Sequence, residues 1–183
     1  MPIRVIKLGG SLFQQKTMPV RFSKFIDQLE KESETRNVVI CGGGYRADLV
    51  RETMSHLSDE QQHWEAIRAM SDLTAQLCIQ TGRPITTNLT QTHLEQTQIF
   101  DPFSFLQDQE PSLPGIRLPI GWHVTSDSIA ARVALVLDAC ELILVKSVSA
   151  PSGSYSEWAQ SGFVDSFFPK LANHIRSVNV ITP

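Results

Sequence analysis

Apolar residues in this chain gather in short blocks that end at glycine. Ile3 to Leu8 is one such block and closes at Gly9-Gly10. Asn37 to Cys41 repeats the plan, with Val38, Val39 and Ile40 running into Gly42-Gly43-Gly44. Blocks of this length read as buried strands entering tight loops. Between them Phe22, Phe25, Ile26 and Leu29 recur at the spacing of a helix with one apolar face. Strand, helix and strand in that order make a βαβ unit, whose crossover is expected to be right-handed.

Past the triple glycine, Tyr45 to Leu57 reads as a helix. Ser58 and Gln61 then form a capping-box pair ahead of Trp64, Ile67, Met70, Leu73 and Leu77, a helical series that Gly82 and Pro84 end. Ile85 to Thr87 is a weak strand candidate. Phe100 to Leu106 is ambiguous, because Pro102 disfavours a central strand and the run is short for a helix. The proline-rich stretch 107–119 reads as a surface connection. Thr125-Ser126-Asp127-Ser128 supplies helix-start chemistry ahead of Ile129, Val133, Val136 and Leu137. Leu142 to Val145 reads as a buried strand, Ser154 and Glu157 as a second capping box, Lys170 to Ile175 as a short helix and Val178 to Ile181 as a last strand. Strands and helices in alternation predict an α/β fold: a three-layer αβα sandwich with a mostly parallel central sheet, as one domain over 1–183. In such sheets ligands bind beyond the carboxyl ends of the strands, where both glycine loops fall.

Composition narrows the function classes. Hydrophobic residues are 42% and charged residues 19% of 183, as in an ordinary globular protein. The net charge of −3 comes without a cationic stripe, so nucleic acid is not an expected partner. Met1 to Gly10 holds no signal-peptide core, and Arg132 and Asp138 interrupt the most apolar segment, so no membrane span is expected and the cytoplasm is the expected location. Cys41, Cys78 and Cys140 are odd in number and set among apolar neighbours, which reads as reduced core thiols. His56, His63, His93, His123 and His174 show no metal-ligand spacing and read mostly as surface residues; no metal site is expected in the protein itself. Trp64 reads as core.

Three segments could carry chemistry. Lys7 precedes Gly9-Gly10-Ser11 at a strand end, where amides and an ammonium suit a phosphate, though a plain turn with a lysine fits as well. Gly42-Gly43-Gly44 opens a helix and costs more conformational freedom than a structural turn needs, which favours an anion site at the positive end of the helix dipole. Thr125 to Ser128 on its own is a helix cap. No Walker loop, dinucleotide fingerprint or serine-hydrolase elbow is present.

Together, Val5-Ile6-Lys7-Leu8-Gly9-Gly10-Ser11, Val38-Val39-Ile40-Cys41-Gly42-Gly43-Gly44 and Thr125 to Ala131 resemble, in order and spacing, the amino-acid kinase family. That family includes acetylglutamate, aspartate, uridylate and isopentenyl phosphate kinases. Gly121 to Ala131, with Gly162-Phe163-Val164-Asp165 to Phe168-Pro169, is similar more narrowly to the branch that phosphorylates aminomethylfuran-methyl phosphate in methanofuran synthesis, a part of one-carbon metabolism. The resemblance implies a carbamate-kinase-like fold, ATP with Mg2+, transfer of the γ-phosphoryl group to a small phosphate or carboxylate acceptor, and self-association.

Carried over by motif, Lys7 would hold the transferring phosphoryl group, and Gly9, Gly10 and Ser11 would line the nucleotide phosphates. Gly42, Gly43 and Gly44 would contact the acceptor, with Thr125 and Ser126 beside it, and Asp127 would orient the lysines. The second lysine is Lys146, at a strand end, or Lys170, in Phe168-Pro169-Lys170-Leu171. An anionic acceptor needs no general base. Two departures stand out: Val145-Lys146-Ser147-Val148-Ser149 replaces the Thr-Asp-Val-Asp-Gly stretch of many members, and His123 stands where the narrower branch has aspartate. The first keeps open a second reading, a non-catalytic small-molecule-binding or regulatory protein on the same fold.

Overall fold

In the computed structural model, which describes residues 1–89 and 96–182, the glycine-closed blocks lie side by side. The strands are β1 (Ile3–Leu8), β2 (Arg36–Cys41), β3 (Ile85–Thr86), β4 (Thr97–Phe100), β5 (Glu141–Val145) and β6 (Val178–Ile181). They form one sheet in the order β3-β4-β2-β1-β5-β6, and every neighbouring pair is parallel. The register sets Leu8 beside Cys41 and Val145, so three strands end on one line and their loops leave together.

The helices are α1 (Met18–Glu32), α2 (Gly44–Thr53), α3 (Asp59–Thr81), α4 (Ser126–Val136), α5 (Tyr155–Gln160) and α6 (Phe168–Ala172). Successive strand residues point to opposite faces, and the core divides accordingly. Ile6, Val39 and Ile143 pack with Phe22 and Ile26 of α1. Val5, Val38 and Leu142 pack with Ile129 and Val133 of α4 and with Phe168 and Leu171 of α6. Helix α3 serves both layers, Leu73 and Leu77 on the first and Ile67 and Met70 on the second. Both expected capping boxes form, Ser58 with Gln61 and Ser154 with Glu157, and Gly82 ends α3 in the left-handed conformation at φ 67°.

Three expectations need correction. The ambiguous run 100–106 is split: Phe100 ends β4, and Phe105 opens a π-helical turn over Phe105–Gln109. The segment 107–119 is not wholly at the surface, because Glu110 is buried and pairs with buried Arg132 at 3.0 Å. A charge this deep is tolerated only when paired, and the Arg132 guanidinium also donates to the carbonyl of Pro114 at 3.0 Å. The last short helix begins at Phe168 and ends at Ala172, earlier than 170–175, with Pro169 in its first turn where the missing N–H costs nothing. His63 is buried, whereas His56, His123 and His174 are exposed; His93 lies outside the described residues. The three cysteines are free thiols, and burial pushes that of Cys41 up to about 12.

Candidate active site at two abutting glycine loops

The loops after β1 and β2 touch backbone to backbone. A Cβ added to Gly10 would meet the amide nitrogen of Gly44 at 2.1 Å and its Cα at 2.4 Å, and Gly44 itself has φ 54°. One on Gly42 would meet the nitrogen of Gly10 at 2.8 Å. These glycines therefore answer first to each other, and only then to any ligand. The amides of Gly9 and Gly42 extend the sheet, donating to the carbonyls of Val145 and Leu8 at 2.8 Å each. Gly10 and Ser11, by contrast, open a 3-10 helix over Gly10–Gln14, and Gly44 opens α2, positions whose amides lack acceptors within their own helices.

Asp127 lies in the first turn of α4 and is 5% exposed. Lys146, one residue past β5, donates to its Oδ2 at 2.9 Å. Lys7 Nζ stands 3.0 Å from Oδ1 at ion-pair distance but off the hydrogen-bonding direction, so Oδ1 has charge compensation without an aligned donor. Lys146 also donates to the carbonyl of Phe163 and lies over that ring, 4.7 Å from its centre. Burial pushes the Asp127 carboxyl up, but Lys7 and then Lys146 overcome it and hold it below its ordinary value. For Lys146 burial comes first, repulsion from Lys7 adds to it, and together they outweigh Asp127, so the Lys146 ammonium is held below the ordinary lysine range. Two cations on one carboxylate leave the cluster short of negative charge, which an incoming anion would supply.

Asp165 builds the frame around this cluster, a role the sequence reading did not assign. Its two oxygens accept from the amide and hydroxyl of Thr125, the amide and hydroxyl of Ser128, and the amides of Phe167 and Phe168. One carboxylate thereby caps α4 from outside and ties it to the start of α6. We expect Asp165→Ala to destabilise the protein by about 3 kcal/mol, since bonds to a charged acceptor are the stronger kind. In a thermal melt this is a fall of roughly 6–12 °C for a chain of this size. An unchanged melting temperature would refute the framing role.

Two clefts open on either side of Gly10 and Ser11. One, of about 180 Å³, is lined by Lys7, Gly9 and Lys146 and by Ser147, whose hydroxyl is 3.2 Å from that of Ser11. The other, of about 240 Å³, is lined by Gly42, Gly43 and Gly44, by Thr125 and Ser126, and by Arg51, His63 and Trp122. The Arg51 guanidinium lies 4.3 Å from the centre of the Trp122 ring, and Trp122 Nε1 donates to Gln62 at 3.0 Å. His63 bonds the Gly121 carbonyl at 3.2 Å, which it can do only through an Nδ1 hydrogen, and burial lowers its pKa.

The structure thus brings Lys7, Asp127 and Lys146 into one cluster, and Gly10, Ser11, Gly42, Gly43, Gly44, Thr125 and Ser126 around one cleft. Lys170 is exposed on α6, its ammonium 5.3 Å from the Phe167 ring centre, and is not in the Asp127 cluster. Arg51, His63 and Trp122 were missed as cleft residues. Only the start of α2 at a glycine loop hinted that its next turns, and so Arg51, would face a ligand.

A family model described as the amino acid kinase family matches residues 2–150. Among solved structures the chain is similar to uridylate kinase from Archaeoglobus fulgidus, with TM-score 0.70 and 18% identity over 100% of this chain and 91% of that one. It is similar to UMP kinase from Ureaplasma parvum, with TM-score 0.66 and 14% identity over 99% and 89%. Aspartate kinase from Synechocystis gives TM-score 0.68 and 13% identity over 100% of this chain and 40% of that one. No curated protein matches the chain. At these identities the structural likeness is one of fold.

Proposed function

Because the chain belongs to the amino acid kinase family, we propose that it transfers the γ-phosphoryl group of ATP to a small anionic acceptor, a phosphate or a carboxylate. One observation carries this reading: Asp127 holds Lys7 at one carboxylate oxygen and Lys146 at the other, and both lysines line the cleft that shares Gly10 and Ser11 with the cleft of the triple glycine. The nucleotide phosphates would occupy the cleft of Lys7, Gly9 and Lys146, and the acceptor the cleft of the triple glycine.

Phosphoryl transfer passes through a loose transition state with its charge spread on the equatorial oxygens. Preorganised cations meet that charge without having to move. Lys7 and Lys146 are such cations, and Asp127, with a lysine ammonium at ion-pair distance from each oxygen, is a positioning residue rather than a base. An acceptor oxygen that is already ionised has no proton to remove, so no base is needed. Among the described residues no group of three or more histidine, cysteine, aspartate or glutamate side chains could hold a metal ion. Mg2+ would come with the phosphates of ATP, and no step is assigned to a metal held by the protein.

The finer reading is an acceptor like aminomethylfuran-methyl phosphate, in one-carbon cofactor synthesis. In its support, the segment that carries the narrower resemblance supplies Trp122, Thr125 and Ser126 to the acceptor cleft, so the part of the chain most like that branch is the part that would read the acceptor. His123, the departure from the branch, is exposed and does not line that cleft. We also propose, from the family resemblance, a cytoplasmic and self-associating enzyme. No helix among the described residues is long and apolar enough to cross a membrane.

Of the segment that favours a binding-only protein, Val145 to Ser149, the residues Lys146, Ser147 and Val148 line the nucleotide cleft, so nucleotide is the discriminating ligand. MgATP at a hundredfold excess over its dissociation constant is expected to stabilise the fold by about 2.7 kcal/mol in a thermal melt. ADP should then form with phosphorylated or carboxylated acceptors and not with neutral ones. Stabilisation without ADP from any acceptor would favour the binding-only protein, and no stabilisation at millimolar MgATP would defeat the kinase reading.

A further inference from the structure

On the face of the sheet that α1 covers, a cleft opens where the helix meets the carboxyl ends of β1 and β5. Leu8, Val145 and Ile181 from the strands and Leu12, Phe22 and Phe25 from the helical side wall a cleft of about 330 Å³. It is larger than either cleft of the candidate active site. Its volume falls in the range of small-molecule sites, and its walls are apolar in the way such sites are.

The mouth is basic. Arg21 and Lys24 on α1 line it together with two glutamines, and no carboxylate does. The acids of α1 are turned to other work: Asp27 and Glu30 are held by Arg83, each at 2.6 Å, and Glu32 accepts from Gln28 at 2.8 Å. Arg21 and Lys24 are exposed and have no salt bridge among the described residues. Two cations at the rim of an apolar slot would repel a cationic ligand and bond a neutral one less strongly than a charged one, whereas an anionic head on an apolar body satisfies both parts.

We propose that this cleft is a second ligand site, which takes a small amphipathic anion: one acidic head group, held by Arg21 and Lys24, on an apolar chain or ring lying against the half-buried Phe25 and Ile181. Consecutive residues place the two sites back to back. Leu8 follows Lys7 on β1 and Lys146 follows Val145 at the end of β5, and successive side chains leave a strand on opposite faces. The site and the phosphate cleft can therefore be filled at once.

The test uses the full chain with two probes, 8-anilinonaphthalene-1-sulfonate followed by fluorescence and decanoate followed by calorimetry. We expect one saturable site per chain for each, displacement of the dye by decanoate, and no displacement by MgATP. The double variant Arg21→Glu/Lys24→Glu changes exposed positions only. It should keep its melting temperature and lose at least about tenfold in decanoate affinity, because a reversed charge repels the head group. Decanol, with the same chain and no charge, should bind the unmodified protein more weakly than decanoate does. Absence of saturable binding, equal affinity in the charge-reversed protein, or equal binding of decanol would overturn the proposal. So would competition with MgATP, or a dimer that buries the cleft and comes apart in the variant. Loss of the nucleotide reading would leave all of these outcomes unchanged, since none depends on turnover.

Discussion

Lys7→Ala is expected to lower ADP formation by roughly a hundred- to a thousandfold, the usual cost of removing one preorganised charge from a transition state, while the protein still folds. Lys7 is 5% exposed and its ammonium lies 3.0 Å from Asp127, so its charge is fixed at the edge of the cleft before a ligand arrives. Breaking a buried ion pair ordinarily costs about 3–5 kcal/mol, because the surviving charge is left alone. Here it is not left alone. Lys146 stays 2.9 Å from Asp127 Oδ2, and with the repulsion from Lys7 gone its own ammonium is less disfavoured. Activity and stability should therefore separate: turnover with a phosphorylated acceptor collapses, and the thermal melt moves far less than for an orphaned carboxylate. Turnover close to that of the unmodified enzyme would rule out the assigned role, and a chain that no longer folds would rule out the two-lysine account of the site.

Gly10→Ala is expected to be the most damaging single methyl group in the chain. At 2.1 Å from the nitrogen and 2.4 Å from the Cα of Gly44, the new carbon meets backbone, which cannot rotate aside as a side chain can. The loops after β1 and β2 must part, and both clefts lose their common wall. Overpacking of this kind costs up to about 3 kcal/mol where neighbours can adjust, and here they cannot, so about 3 kcal/mol is the lower end. That corresponds to a fall of roughly 6 °C or more in melting temperature. Gly162→Ala is the useful contrast, because nothing lies within 4 Å of its added carbon and only its φ of 73° resists the change, a cost of about 1–2 kcal/mol. If the two variants melt together, the abutment of the loops is not what holds this end of the sheet.

The central strands were legible because their apolar runs are continuous, the mark of strands buried on both faces. Strand β4 was not, since two of its four residues, Thr97 and Gln98, are polar and yet buried. Thr97 is made tolerable by a bond from Asn37 of β2 at 2.9 Å, a partner sixty positions away that no local window contains. The site was legible in the same uneven way. Glycines and a lysine at strand ends pointed to Lys7 and the two loops, and family likeness pointed to Asp127. Neither could choose between Lys146 and Lys170. That depends on which ammonium reaches a carboxylate on another element, and the structure brings Lys146 to Asp127. Asp165 could have been found in part. It stands two and three residues ahead of amides that it accepts from, just before a proline-started helix, which is a local capping pattern. Its bonds to Thr125 and Ser128 could not have been, because they span about forty residues of chain.

Strand β1 has ladder partners on both edges, β2 on one and β5 on the other, and apolar layers above and below. Exposing its backbone to solvent means parting two ladders at once, so the amides of Val5 to Lys7 belong with the slowest-exchanging hydrogens of the molecule, released only when the whole fold opens. The ammonium of Lys7 thus rides on the least yielding part of the chain. The root of its side chain stays in place for as long as the protein stays folded, and Asp127 on α4 holds its far end.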